Sequence, residues 1–177
     1  MSEGGIEAET HGAHGRSPEG FRIRPAGEKD VRAMAQLLVR LKRLNEEFDP
    51  LLKVREDAEE QAVRLFTQGL EEPSSVILVV EGHGTERGKI VGVSRALVRE
   101  RLFYQPKTEG VILDIYLLPA YRRLHVGEQL LKETVRLLKE KGAGIVTAEF
   151  PSQNQIAVRF YAKRGFRPVV ATHAKEL

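Results

Sequence analysis

Residues 117–127 join a predicted strand end to a basic turn and a helix start. The turn and the helix start contain Arg122, Arg123, Leu124, His125, Val126, Gly127 and Glu128. The first turn of a helix leaves backbone N–H groups without intrahelical acceptors and carries partial positive charge, so it binds anions readily. A glycine lets a phosphate approach the backbone, and arginines add charge-assisted donors. The segment therefore predicts either a phosphate-binding turn or a basic helix start without a ligand.

The elements around this turn follow from hydrophobic periodicity and from the positions of Gly and Pro. Strands are predicted at residues 21–24, 76–80, 90–98, 111–118, 145–150 and 166–171. Helices are predicted from Glu28 to a break at residues 48–50, over 56–70, from the basic turn to about Gly142, and over 156–164. A right-handed crossover would place the strand at 145–150 parallel to the strand at 111–118. The order predicts an α/β (α+β) fold, with a mixed, mostly antiparallel twisted sheet between helices.

The composition excludes several classes of protein. The chain has no cysteine, which rules out disulfides, zinc–thiolate sites and thiol catalysis. No apolar run could span a bilayer and no leader pattern opens the chain, so we expect a cytoplasmic protein with no membrane partner. A formal net charge of +3 gives weak support for nucleic acid, and no nucleic-acid partner is expected. Residues 1–20 are predicted to be a flexible tail and residues 21–177 a single domain.

Charged residues cluster in two places. Acidic residues gather between Glu46 and Glu60, and basic residues lie between Arg122 and Lys141. Solvated helix faces explain both clusters. The alternative is a cationic substrate near the acidic cluster and an anionic cofactor near the basic one.

Two ordered segments resemble the GNAT superfamily of acetyl-CoA-dependent N-acetyltransferases. Arg122 and Gly127 match the first and last positions of the family's coenzyme motif, Gln/Arg-x-x-Gly-x-Gly/Ala. The family's Asn-x-x-Ala-x-x-x-Tyr-x-x-x-Gly-Phe segment is matched by Asn154, Ala157, Tyr161, Gly165 and Phe166. The order of elements fits from about residue 21 to 171. The resemblance therefore implies a GNAT-like sheet of about six to seven strands flanked by four helices.

His125 departs from the motif, because it stands where the family has its first glycine. If this position has a positive φ, a histidine costs about 1 kcal/mol. If the position is helical, its N–H still points at the pyrophosphate and nothing is lost.

The resemblance implies acetyl-CoA as co-substrate, no metal, and a set of coenzyme-binding residues. The set is Ile115, Tyr116, Leu117, Arg122, Arg123, Leu124, His125, Val126, Gly127, Glu128, Asn154 and Tyr161. Asn154 also fits a helix N-cap, a role that needs no ligand.

Catalytic roles are implied in the same way. Splaying of the strand at Leu117 would free its N–H to polarise the thioester carbonyl. Tyr161 matches the family's general acid toward the coenzyme thiolate, or else packs beside Phe160. Glu149 stands where the ribosomal-protein N-terminal acetyltransferase branch keeps a general base, or else is an exposed strand residue. Asp114, on the neighbouring strand, is a second candidate for the base.

We therefore expect transfer of an acetyl group from acetyl-CoA to a primary amine by direct attack in a ternary complex. The acceptor would be a protein N-terminus, a lysine or a small molecule. The alternative is a catalytically weak coenzyme-A-binding regulatory module, suggested by His125 and by the two competing bases. A third interpretation, nucleic-acid binding through the basic helix, has no recognised motif to support it. Many relatives form dimers, so a homodimer is one possible assembly.

Overall fold

The structure is a computed structural model that describes residues 20–83, 88–122 and 125–177. A five-stranded sheet lies at the centre of this part of the chain. The strands are β1 (Phe21–Pro25), β2 (Ser75–Gly82), β3 (Ile90–Glu100), β4 (Thr108–Leu117) and β5 (Ile145–Ala148). The helices are α1 (Val31–Glu46), α2 (Ala58–Glu71), α3 (Val126–Glu140) and α4 (Gln155–Ala162). None of these helices is both long enough and apolar enough to cross a membrane.

The strands lie in chain order across the sheet. β1, β2, β3 and β4 pair antiparallel, while β5 pairs parallel with β4 after the α3 crossover. The predicted mixed, mostly antiparallel sheet is therefore confirmed, as is the parallel placement of the strand that begins at Ile145.

Two apolar layers hold the helices on opposite faces of the sheet. Leu38 of α1 and Phe66 of α2 pack against Val93 on one face. On the other face, Leu130 of α3 packs against Ile112. The apolar residues recur every three or four positions along these helices, so each helix presents one buried stripe to the sheet.

β4 contains an extra residue, Leu113, in its pairing with β3. Ile112 lies opposite Ala96, whereas Asp114 lies opposite Arg95, so Leu113 has no partner of its own across the ladder. Such a bulge shifts the alternation of side chains along a strand. After it, Tyr116 packs into the layer beneath α1, and Leu117 packs into the layer beneath α3.

The predicted strand at 166–171 is wrong, because these residues adopt no regular structure. Val169 and Val170 are 64% and 86% exposed, so no core covers them, and Pro168 lacks the N–H that a ladder needs. The strand predicted at 145–150 also ends earlier, at Ala148, with Pro151 close behind. The described sheet therefore has five strands rather than six or seven.

Candidate active site

β4 and β5 separate at one end of the sheet. Their pairing runs from Glu109–Ile145 to Ile112–Ala148, and the last contact is a 2.9 Å hydrogen bond from the N–H of Glu149 to the carbonyl of Ile112. β4 continues to Leu117 beyond that point. The edge of β4 from Leu113 to Leu117 is therefore not paired with β5.

The Leu117 backbone faces this open edge. The next residue, Leu118, donates its N–H to the carbonyl of Val91 on the β3 side, at 2.9 Å. Because successive backbone groups of a strand point in opposite directions, the N–H of Leu117 points away from β3. The Leu117 carbonyl, on the same side, accepts a 3.1 Å hydrogen bond from Nε of Arg122. β4 and β5 thus separate next to the residues for which the family resemblance implied splaying, and the catalytic role of the Leu117 N–H stays a prediction.

The basic turn folds back onto the end of β4. Residues 119–121 form a short 3-10 turn, and the Arg122 guanidinium carbon lies 5.5 Å from the centre of the Tyr116 ring. Arg123 and Leu124, two of the predicted coenzyme ligands, lie outside the described residues.

His125 has a φ of 55° and a ψ of 11°, which is the left-handed conformation. Of the two alternatives given above for this position, the structure therefore has the positive φ. Among the described residues His125 is the one non-glycine with this conformation. Its side chain is 84% exposed, with Nδ1 3.6 Å from Oε2 of Glu128. This backbone therefore carries strain of about 1 kcal/mol, and the exposed pair with Glu128 offsets little of it.

The first residues of α3 face the open edge in different ways. The Val126 side chain is fully buried in the core, so only its N–H can reach a ligand. A Cβ built on Gly127 would lie 3.4 Å from Cδ1 of Leu117 and 3.6 Å from Cε2 of Phe160. The missing side chain of Gly127 therefore leaves space between the end of β4 and α4. The Glu128 carboxylate is engaged by Arg164, 3.2 Å away, which offsets its negative charge at the start of α3.

Tyr161 is buried on α4 among three aromatic rings. Its ring stacks on Phe150 at 5.0 Å and meets Phe160 and Phe166 edge-on at 5.2 and 5.1 Å. Burial raises the pKa of the Tyr161 phenol well above its ordinary value of 10.0, and the negative charge of Asp114 raises it further. The hydroxyl makes no hydrogen bond to any described residue. Tyr161 thus combines the predicted packing role with a phenol that stays protonated.

Asp114 is held in a buried ion-pair network. Its side chain is 1% exposed, and each oxygen accepts from a cation: Oδ1 from Nζ of Lys42 at 2.6 Å, and Oδ2 from Arg95 at 2.6 and 2.8 Å. A carboxylate with both oxygens engaged is a poor acceptor for a substrate proton. The geometry therefore disfavours Asp114 as a general base and gives it a structural role.

Glu149, the other candidate for the base, lies where β4 and β5 separate. Its side chain is 55% exposed, and its nearest cation is Arg99, 3.6 Å away. Arg99 is closer to Glu109, at 2.8 Å, so Glu149 remains available as a proton acceptor. The neighbouring residue Phe150 stacks on Tyr161, which brings the candidate base and acid to the same end of the sheet.

Asn154 caps α4. Its Oδ1 accepts a 3.0 Å hydrogen bond from the N–H of Ala157, the N-cap geometry that the sequence left open. This oxygen is therefore explained by the fold alone.

A pocket of about 330 Å³, not predicted from the sequence, lies between α1 and the end of β4. Arg40, Arg43 and Glu47 line it from α1, and Tyr116 and Arg122 line it from the strand end and the basic turn. Leu44 and Pro119 complete the lining. The signal in the sequence was the spacing of residues 40, 43, 44 and 47, which places them on one helix face.

Local structure engages much of the acidic cluster between Glu46 and Glu60. Glu46 accepts from the N–H of Val54, and Asp49 caps the turn at Leu51 at 2.9 Å. Asp57 pairs with Arg55 at 2.8 Å. These contacts favour the interpretation of the cluster as a solvated surface.

Solved structures with the same fold include acetyltransferases and a protein described as a transcriptional regulator. The regulator, from Bacillus halodurans C-125, is 24% identical, with 89% of this chain and 99% of that chain covered and a TM-score of 0.69. Glucosamine-6-phosphate N-acetyltransferase from Arabidopsis thaliana is 21% identical, with 89% and 99% covered and a TM-score of 0.66. A predicted acetyltransferase with acetyl-CoA from Clostridium acetobutylicum is 17% identical, with 88% and 96% covered and a TM-score of 0.69.

These likenesses show the fold, and the family comparison shows the class, that of the acetyltransferases. The family model described as Acetyltransferase (GNAT) family matches residues 37–166, and the chain belongs to that family. Comparison with curated proteins finds no significant match. The match includes β4, the basic turn and α4, the elements on which the resemblance was founded.

Proposed function

We propose that this protein transfers an acetyl group from acetyl-CoA to a primary amine in a ternary complex. The observation that carries the proposal is the unpaired edge of β4 from Leu113 to Leu117, which ends beside the start of α3. This edge offers backbone groups to the pantetheine arm in the manner of an added strand. The N–H groups of Val126, Gly127 and Glu128, with Arg122, bind the pyrophosphate.

Each chemical task has a candidate residue. The amine nitrogen attacks the thioester carbonyl carbon, and the N–H of Leu117 stabilises the resulting oxyanion. Glu149 accepts the proton that the amine gives up, directly or through water. The C–S bond then breaks, and Tyr161 donates its proton to the departing thiolate. The buried phenol keeps its proton at neutral pH, so it has a proton to give to the thiolate.

Incubation of the full chain with acetyl-CoA and a panel of amines, monitored for free thiol, tests the proposal. We expect thiol release that depends on the amine, with a matching gain of one acetyl group in the mass of the acceptor. Glu149→Gln should abolish most of this release and leave stabilisation by acetyl-CoA unchanged. If acetyl-CoA stabilises the protein but no amine releases thiol, the chain acts as a coenzyme-binding regulatory module instead.

A further inference from the structure

The pocket lined by Arg40, Arg43, Glu47, Tyr116 and Arg122, here called the arginine pocket, has a net positive charge. It contains three guanidinium groups and one carboxylate. Within the described part of the chain, Arg40 and Arg43 form no hydrogen bond or ion pair. Two other arginines, by contrast, are neutralised: Arg24 by Asp30, and Arg95 by Asp114.

A concave site with unneutralised arginines is suited to an anion. A guanidinium group presents its N–H donors in a planar fork that matches a carboxylate or a phosphate. Arg122 uses its Nε on the Leu117 carbonyl and is assigned above to the coenzyme pyrophosphate, so Arg40 and Arg43 are the arginines left for a second ligand. At about 330 Å³ the pocket is at the lower end of the size range of small-molecule sites.

The arginine pocket and the proposed coenzyme path lie on different faces of the sheet. Tyr116, which lines the pocket, packs in the layer beneath α1. The space at Gly127 is bounded by Leu117 and Phe160, which belong to the layer beneath α3. A molecule in the pocket therefore approaches the open edge of β4 from the side opposite α3, as an acceptor would.

We propose that the acceptor is a small-molecule amine that also carries a carboxylate or a phosphate, bound by Arg40 and Arg43. This inference rests on the proposed acetyl transfer. Glu47, on the same rim, offers a carboxylate to a second cationic group or to the ammonium form of the acceptor. The other source of the anion is the coenzyme, which carries phosphates of its own, and the experiment separates the two sources.

The test compares amines in pairs that differ only in the anionic group. Ethanolamine is compared with O-phosphoethanolamine, and amino acids are compared with their amides, with acetyl-CoA as donor. We expect kcat/KM to be about tenfold or more higher for the anionic member of at least one pair. The preference should weaken with added salt, because exposed charges are screened. Equal or better turnover of the neutral members would overturn the proposal.

The double variant Arg40→Gln/Arg43→Gln identifies the groups responsible. We expect a rise of about tenfold or more in KM for the anionic acceptor, with KM for acetyl-CoA unchanged. Arg32→Gln is the matched control, because Arg32 is an exposed arginine of the same helix outside the pocket. A rise in KM for acetyl-CoA instead would assign the pocket to the coenzyme phosphates and overturn the proposal.

A binding measurement separates failure of this inference from failure of the proposed function. Stabilisation of the coenzyme A complex by O-phosphoethanolamine is measured for the wild type and for the double variant. If O-phosphoethanolamine stabilises the wild type but not the double variant, and no amine is turned over, the result supports the anionic-amine site and contradicts acetyl transfer. Turnover of the anionic amines that is unaffected by the double variant contradicts the site and supports acetyl transfer.

Discussion

Gly127 offers a direct test of the coenzyme path, because a single methyl group there should raise the stability of the free protein and weaken coenzyme binding. The nearest atoms to a Cβ at this position are Cδ1 of Leu117 at 3.4 Å and Cε2 of Phe160 at 3.6 Å, so alanine fits. Alanine is favoured over glycine in a helix by about 1 kcal/mol, and less in the first turn. We therefore expect Gly127→Ala to raise the melting temperature of the free protein by up to about 2–4 °C.

With acetyl-CoA bound, the wild type should have a higher melting temperature than Gly127→Ala, the reverse of the order expected for the free proteins. At a concentration of about 100 times Kd, a ligand that binds only the folded state adds about 2.7 kcal/mol, which corresponds to about 5–11 °C for a chain of this length. Gly127→Ala should reduce this shift. Gly127→Val, whose additional methyl groups fill the space between Leu117 and Phe160, should remove it and cost the free protein about 1–3 kcal/mol.

Differential scanning fluorimetry with and without acetyl-CoA measures both effects. Gly69→Ala is the control, because Gly69 is a helical glycine of α2. A Cβ there would lie 3.0 Å from the flexible end of Ile77 and 3.9 Å from Oγ of Ser75, and the variant should leave the coenzyme shift unchanged. A folded Gly127→Val protein that keeps the full shift with acetyl-CoA would refute the assignment of this space to the coenzyme.

Four further predictions follow from the geometry. Tyr161→Phe keeps the ring contacts but should lower kcat about tenfold to a thousandfold with little change in KM for acetyl-CoA, and unchanged steady-state kinetics would leave the tyrosine a packing role only. Because the folded pKa of this phenol lies above the unfolded value of 10.0, its contribution to stability is lost as pH rises past 10, so the melting temperature of Tyr161→Phe should fall less steeply there than that of the wild type. His125→Gly removes about 1 kcal/mol of left-handed strain, but it also stabilises the unfolded state through added chain entropy, by about 0.4–1 kcal/mol. Denaturant unfolding should therefore detect almost no change in this variant. His125→Val should be destabilised by at least about 1 kcal/mol. Asp114→Asn should lower the free energy of unfolding by about 1–3 kcal/mol, because Arg95 and Lys42 lose their counter-charge. Glu149→Gln should instead lower kcat with little effect on unfolding. The opposite pattern would make Asp114 the base.

The sequence was informative where structure depends on local pattern. The buried stripe of α1 and the strand at Val76 were predicted because hydrophobic period reflects one-sided burial. The strand at 166–171 was not formed although its residues favour strands. A strand needs a partner and a covered face, and in the described structure the exposed Val169 and Val170 have neither.

The arginine pocket depends on contacts between residues far apart in the chain. Arg40 and Arg43 lie on an exposed helix face, a pattern that is also typical of a solvated surface. Only the packing of α1 on the sheet brings them beside Tyr116 and Arg122. Nothing in the spacing of one segment specifies that meeting, so this pocket could not be predicted from the sequence.

The bulge at Leu113 explains why the roles of Asp114 and Leu117 could not be assigned from alternation alone. Strict alternation would place Ile112, Asp114 and Tyr116 on one face of β4. With one extra residue, Ile112 and Leu117 pack beneath α3, while Asp114 turns to Lys42 on α1. The same shift sets the direction of the backbone after the bulge, with the N–H of Leu118 on the β3 side and the N–H of Leu117 toward the open edge. A single inserted residue therefore both buries a carboxylate in an ion-pair network and aims a free backbone donor at the gap between β4 and β5.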